Sequence, residues 1–254
     1  MCGRYASSRP PDVLAGHYGA DLGDIAELRA SWNVAPTMPV AAVVARPPEG
    51  GEEPRRELRA MRWGLVPSWA DDPSVGSRFI NARAETVADK VIFRQLLRRR
   101  RCLIPADGFY EWLVLAQTDR QPFFITSRDG APLSFAGLYD EWRDPAAPDE
   151  PSLWSCTIVT TAANQDVAFL HDRMPVILRT EDCDAWLAAT EDDVAPAVAL
   201  LRAPARGTLA AHPVSRAVGD VRNDGPHLTD AVAFDQPLTL FDPMTSRNPE
   251  VWGL

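Results

Sequence analysis

Two reactive groups can meet at the very start of this chain. Once Met1 is removed, which the small residue at position 2 favours, Cys2 carries an α-amine and a thiol on adjacent carbons. An α-amine titrates near ~7.7–8.0 and a thiol near ~8.5, so both keep reactive fractions at neutral pH. The amine can condense with an aldehyde to an imine, and the thiol can then close a five-membered thiazolidine on the same carbon. Amines elsewhere are scarce: of the 26 basic side chains, Lys90 is the one lysine and the rest are arginines. On position alone the plainer reading, an incidental small residue, has the edge.

A second constellation runs from Arg101 to Trp112. A strand-like stretch enters Asp107-Gly108, a strong hairpin-turn signal, and leads to Glu111 between Tyr110 and Trp112. Burial among those aromatics would raise the carboxyl pKa, as general acid–base catalysis needs; an alternating hairpin strand would instead leave a surface glutamate. The local pattern leaves both open. His171, beside Asp172 and Arg173 in a polar kink before Met174-Pro175, titrates in the range of a proton shuttle. A lone histidine next to an acid is nonetheless more often a structural hydrogen-bonding residue.

Asn81, Arg83 and Glu85 cluster around an expected helix start, where Arg83 could grip a phosphate bidentately or form a surface ion pair. Trp69, in Pro67-Ser68-Trp69-Ala70-Asp71, has the most loop-like context of the tryptophans and is expected to be exposed, free to stack on a base. The arginine run 98–101 reads as the solvated end of a helix.

The scaffold for these residues is legible in outline. Short β-branched or aromatic runs bounded by Gly, Pro or Asp predict strands over 40–45, 58–63, 102–105, 123–126, 133–138, 155–160 and 176–178. Helical spacing covers 10–17, 85–100, 183–190 and 194–201, with one or two turns over 164–170. The alternation lacks the regular strand–helix rhythm of a parallel doubly wound sheet. The expected fold is therefore α+β, a single domain with a largely antiparallel, barrel-like β core and a few peripheral helices. Residues 46–56 read as a hairpin loop, and 229–254 as a tail beyond a domain at 2–228.

Composition narrows the function classes. In 254 residues, 26 basic and 35 acidic side chains leave a net charge of −9, which argues against coating nucleic acid by bulk positive charge. The excess is lopsided: residues 1–127 carry 17 basic and 15 acidic groups, residues 128–254 carry 9 and 20. Eleven of those 20 acids fall in 140–150 and 181–193, which read as solvated faces, so a phosphate-binding groove in the first half stays open. Four scattered cysteines and four scattered histidines show neither a disulfide framework nor metal-ligand spacing. No apolar run reaches membrane-span length and the start lacks a signal-peptide layout. A cytoplasmic monomer without metal or cofactor is expected.

Seven ordered segments draw these features together: Met1-Cys2-Gly3-Arg4-Tyr5, Trp32 to Thr37, Trp63 to Trp69, Asn81 to Thr86, Arg101 to Trp112, His171 to Pro175, and His212-Pro213-Val214-Ser215. Their order and content closely resemble the SRAP (SOS response-associated peptidase) family, whose members cross-link to abasic sites in single-stranded DNA. The likeness runs from residue 2 to about Leu228. It implies that Cys2 captures the ring-opened sugar aldehyde as an imine and then a thiazolidine. By the same likeness Asn81 would hold the opened sugar, Glu111 would exchange protons, and His171 would assist at the sugar hydroxyl. Thr161 would line the pocket, and Asn33 would line it while positioning the N-terminal segment. Arg4, Arg83 and Arg173 would bind phosphates, and Trp69 would stack near the lesion.

The likeness also implies a suspected peptidase activity, removal of Met1 by the protein itself or by an aminopeptidase, and a minor lyase side reaction by β-elimination. The expected partner is single-stranded DNA carrying an abasic site, with the protein on the nucleoid when bound to damage. The chain departs from the family pattern at Asp71 and Asp72, where lysine is common, and at Gly219-Asp220. Two rival functions remain: an N-terminal-nucleophile glutamine amidotransferase-like hydrolase, which also starts Cys-Gly, and a non-catalytic single-strand DNA binder.

Overall fold

The structure, a computed structural model, describes residues 2–46, 55–188 and 193–234. Fourteen strands are found among them. In chain order they are β1 Tyr5–Ser7, β2 Ala20–Leu22, β3 Ser31–Val34, β4 Pro39–Arg46, β5 Arg55–Trp63, β6 Asn81–Arg83 and β7 Arg101–Ala106. Then follow β8 Gly108–Val114, β9 Arg120–Ser127, β10 Leu133–Trp142, β11 Leu153–Ala162, β12 Arg173–Pro175, β13 Ile177–Leu178 and β14 Leu209–Pro213. Four α-helices among the described residues lie outside the sheets: α1 Pro11–Tyr18, α2 Val91–Arg99, α3 Cys183–Leu187 and α4 Ala195–Ala199.

The smaller sheet has the order β14-β9-β8-β1-β3 and the larger runs β12-β11-β10-β7-β4-β5-β2. Most pairings are antiparallel. One parallel contact matters most: β5 also meets β11 through Ser155↔Arg62 and Cys156↔Trp63, closing β11-β10-β7-β4-β5 into a ring. The expected single α+β domain with a largely antiparallel, barrel-like core is what the chain forms.

Strand β4 shows how the sequence builds that ring. Val40, Ala42 and Val44 point to the inner core, and Ala41 and Val43 to a second core beneath the helices. A strand buried on both faces needs an unbroken apolar run, which is what residues 40–45 supply. A third apolar layer of Ala6, Tyr110, Phe124, Val214, Val218 and Leu228 covers the outer face of the smaller sheet.

Several sequence expectations needed adjustment. The helix expected over 85–100 is only Val91–Arg99, because Lys90 is extended at ψ 124° and residues before it make separate turns. Residues 164–170 form turns, with Ala168 N–H donating to Asn164 O. The strand expected at 176–178 is preceded by its own short neighbour, β12. The arginine run is not uniformly solvated: Arg101 is 4 % exposed and donates to Trp186 O and Leu97 O, while Arg100 pairs with Asp140 at 2.8 Å. Arg46 and Arg55 pair across a hairpin, whose intervening residues 47–54 lie outside the described residues. Past Thr229, Ala231 bridges Val214 and the Phe234 ring meets Phe123 edge-on, so the chain stays packed that far. The rest of the expected tail, 235–254, lies outside the described residues.

Candidate active site

The C-terminal half of β11 is the frame of the site. Two short strands flank it there: β6 in parallel (Ile158↔Asn81, Thr160↔Arg83) and β12 antiparallel (Thr161↔Met174, Ala162↔Arg173). A segment about 70 residues upstream and one just downstream of β11 thereby set Asn81, Thr161 and Arg173 side by side. A close backbone crossing makes this register reachable. Gly64 sits at φ 124° and a Cβ on it would lie 2.8 Å from Gly76 O, while a Cβ on Gly76 would lie 2.5 Å from Gly64 O. Only glycine tolerates both demands, and Leu65 N–H can then donate to Phe79 O just before β6.

The N-terminal segment enters from the smaller sheet. Strand β1 pairs with β8 through Tyr5↔Phe109, and Tyr110 N–H donates to Arg4 O at 2.9 Å, which brings the residues before Arg4 alongside Glu111. The Tyr5 ring anchors this arm edge-on against Trp63 and Phe135, at 5.2 and 5.8 Å between centroids. Asn81 secures the end of it: its Nδ2 donates to Cys2 O at 2.8 Å. Asn81 Oδ1 is buried and has no hydrogen-bond partner among the described residues, leaving an acceptor for a ligand.

Electrostatics tie the reactive groups together. Glu111 is 5 % exposed, and burial raises its carboxyl from an ordinary 4.5 to about 7, with the Asp172 charge adding to the rise. Of the two alternatives for Glu111 the structure takes burial, because both faces of β8 are covered there and the strand does not alternate in exposure. Cys2 is fully buried; burial first, and then the Glu111 carboxylate, push its thiol pKa well up. Burial lowers His171, against the opposing pull of Asp172. His171 Nδ1 accepts from the Arg173 N–H at 2.9 Å and lies 2.7 Å from Asp172 Oδ1, so both contacts orient the ring through the same nitrogen. Thr161 is 8 % exposed at the same end of β11. A carboxyl poised near neutrality, an oriented imidazole and a sequestered thiol make a set suited to proton-coupled carbonyl chemistry.

The remaining expected residues have distinct situations. Trp69 is 68 % exposed, on the rim of an open hollow of about 400 Å³ that Asp71, Ser74, Ser77 and Arg78 also line. Arg83 is exposed and holds no ion pair among the described residues. Arg173 is instead engaged: Nη1 and Nη2 meet the Glu85 carboxylate at 2.6 and 2.9 Å, and Nη2 also donates to Thr160 O at 2.7 Å. Arg4 Nη1 is spent inside the protein, on Asn33 Oδ1 and Val218 O, both at 2.7 Å. Asn33 is 1 % exposed and its Nδ2 donates to Asp220 O and Asn223 O, so it ties the N-terminal arm to the segment 218–223.

Two contributors escaped sequence reasoning. Asp140 falls in a stretch read as solvated, yet it is 4 % exposed, accepts from Ser68 N–H at 2.8 Å and so pins the Trp69 loop. Glu85 stands in the Asn81–Thr86 segment, but its bond to Arg173 could be found only in three dimensions. Among the described residues no group of His, Cys, Asp or Glu is placed to hold a metal ion, and no helix is long and apolar enough to cross a membrane.

A ring of strands with an N-terminal cysteine arm closing over a buried glutamate defines the class. The chain belongs to the SOS response associated peptidase (SRAP) family, whose profile matches residues 1–221. It is 35 % identical over 232 residues to the abasic site processing protein YoqW of Bacillus subtilis, covering 91 % of this chain and all of that one. With the abasic site processing protein YedK of Escherichia coli it shares 32 % over 237 residues, again 91 % of this chain and all of the relative. A crystal structure of a Bacteroides thetaiotaomicron protein superposes with a TM-score of 0.78 at 22 % identity, covering 91 % of this chain and all of that one, which shows the shared fold.

Proposed function

We propose that this protein senses and shields abasic sites in single-stranded DNA by forming a covalent link through Cys2. The observation that carries the proposal is the Asn81–Cys2 O bond of 2.8 Å, which holds the N-terminal arm where Cys2 and Glu111 influence one another. After Met1 is removed, the Cys2 amine attacks the sugar aldehyde carbon and water departs, leaving an imine. The thiol then adds to the imine carbon, its proton passes to the nitrogen, and the thiazolidine closes with atoms balanced. Glu111, with its carboxyl near 7, can give the proton that water carries away and accept the one the amine sheds.

The polar neighbours fill supporting parts. Asn81 Oδ1 accepts from a hydroxyl of the opened sugar, Thr161 lines the pocket and His171 exchanges a proton at the sugar. Arg83 meets a flanking phosphate directly, Arg173 meets another by exchanging its Glu85 partner for it, and Arg4, tied to Asn33, keeps the arm in place behind them. Trp69 stacks on a base. Met1 removal, by the protein or by an aminopeptidase, is a prerequisite, and β-elimination at the imine gives a minor lyase side reaction. The protein works as a monomer in the cytoplasm, on nucleoid DNA.

The decisive experiment mixes mature protein with a single-stranded oligonucleotide bearing one abasic site. The expected result is an adduct that survives denaturing electrophoresis and is absent on an intact strand. An uncleaved N-terminal extension should abolish it; a full-strength adduct from such a protein would overturn the mechanism. Glutamine hydrolysis without adduct would support the amidotransferase-like alternative instead.

A further inference from the structure

The outer face of α2 plays no part in the site described above, yet it and its N-cap hold three cations without ion pairs among the described residues. Arg94 and Arg98 lie one turn apart on α2 and Lys90 is its N-cap residue four positions earlier, so the three are spaced along about 12 Å of the helix axis. All three are exposed, and none has an ion pair or side-chain hydrogen bond among the described residues. This contrasts with most other arginines of an acid-rich chain, such as Arg9 with Asp107, Arg179 with Asp182 and Arg222 with Asp220. Asp89 is the one carboxylate between residues 86 and 100.

The stripe is rigidly mounted and follows the pocket strand β6 closely in the chain. Phe93, Leu96 and Leu97 bury the opposite face of α2, and the Phe93 ring meets Phe79 edge-on at 6.2 Å. Phe79 precedes Asn81 by two residues. From β6 the backbone climbs by consecutive turns, Thr86 N–H to Arg83 O and Lys90 N–H to Thr86 O, directly into the helix. Arg78 and Arg83, both exposed and without ion pairs among the described residues, lie at the pocket end of the same path.

We propose that Lys90, Arg94 and Arg98 form a track for the phosphodiester backbone of a single strand, carrying it away from the lesion pocket on one side. The inference rests on the lesion-binding reading for its starting point and adds a direction and a footprint to it. Three cations spaced along a straight helix meet a polyanion without needing to read bases, and each phosphate contact releases counterions. Sequence-independent binding with a steep salt dependence follows.

The test replaces all three residues (Lys90→Gln, Arg94→Gln, Arg98→Gln), keeping helix propensity, with circular dichroism as the check on folding. Binding is measured against salt for abasic strands extended on the 5′ side, on the 3′ side, or on neither. For one of the two extended strands, the slope of log affinity against log salt should fall by about 2, from three single-strand phosphate contacts at about 0.7 each. The other two strands should bind as they do to the unsubstituted protein. Unchanged slopes on both extended strands would overturn the track. So would an equal change on the unextended strand, or a change in sedimentation that marks the stripe as a contact between copies of this chain. Should the unsubstituted protein form no adduct at all, the lesion reading fails, while the slopes on extended strands still decide the track.

Discussion

The two ends of β11 both place polar and charged groups at the edge of the barrel core and both hold ion pairs, Arg173 with Glu85 at one end, but they differ in what is left poised. At the Trp154 end, charge is mostly met by a partner, the buried Arg59 Nε being the exception. Arg59 lies 3.3 Å over the Trp154 ring, Trp154 stacks on Tyr139 with planes 15° apart, and Glu57 is held between Arg46 and Arg59. About 23 Å away, at the Thr161 end, the Asn81 Oδ1 acceptor has no partner among the described residues, and Glu111 is held far above its ordinary pKa. Partnered burial stabilises a fold; poised, incompletely satisfied burial costs stability and is kept where chemistry needs it. The contrast accords with the proposed function, in which one end of β11 is scaffold and the other is where the chemistry takes place.

Substitutions can break that contrast, beginning with the largest expected effect. Cys2→Ala, with Met1 still removed, should abolish the denaturation-resistant adduct on abasic single strands while leaving a transient imine; a stable adduct from it would shift the covalent chemistry away from the thiol. Glu111→Gln should slow adduct formation by about 10²–10⁴, the usual worth of a placed general acid–base, with binding to the same strand little changed. Single-turnover rates followed across pH should show an inflection near pH 7 in the parent protein, and none there in the variant.

The same residue gives a stability test with a definite sign. A carboxyl raised from 4.5 to about 7 is favoured by the fold in its neutral form. Its contribution is therefore full below about pH 4.5 and is lost as pH rises through 7, amounting to about 3 kcal/mol in all. Denaturant unfolding should show the parent losing that much relative to Glu111→Gln between pH 4.5 and 8. At the other end, Trp154→Leu should cost about 1–2 kcal/mol through the lost cation–π and stacking contacts, and leave the adduct rate unaltered. A large fall in rate would mean that the two ends are coupled. The smallest effect belongs to Arg83→Ala, which should lower the salt slope of strand binding by about 0.7, one phosphate contact.

Much of this contrast was invisible in the chain read linearly, and the reasons are physical. Strand β4 was legible because burial on both faces forces an unbroken apolar run. The helix expected from residue 85 onward was too long, since nothing in the local spacing reveals that Lys90 turns extended. Asp140 looked like one more solvated acid, because the Ser68 N–H that it accepts lies 72 residues away. Arg4, Arg83 and Arg173 looked alike as candidate phosphate ligands. Their partners separate them: Arg4 is tied to Asn33, Arg173 is clamped by Glu85, and Arg83 stays exposed.

The sequence by itself determined the reactive inventory: a cysteine at position 2, one lysine outside every matched motif, and the strand runs that demand a two-faced sheet. Those are properties of residue type and periodicity, which are local. Tertiary structure alone decided which groups are poised. A pKa of about 7 at Glu111 is set by what surrounds the carboxyl, and an acceptor left open at Asn81 by which neighbours fail to reach it. Both depend on contacts between segments that meet only when β11 gathers β6 and β12 at one end.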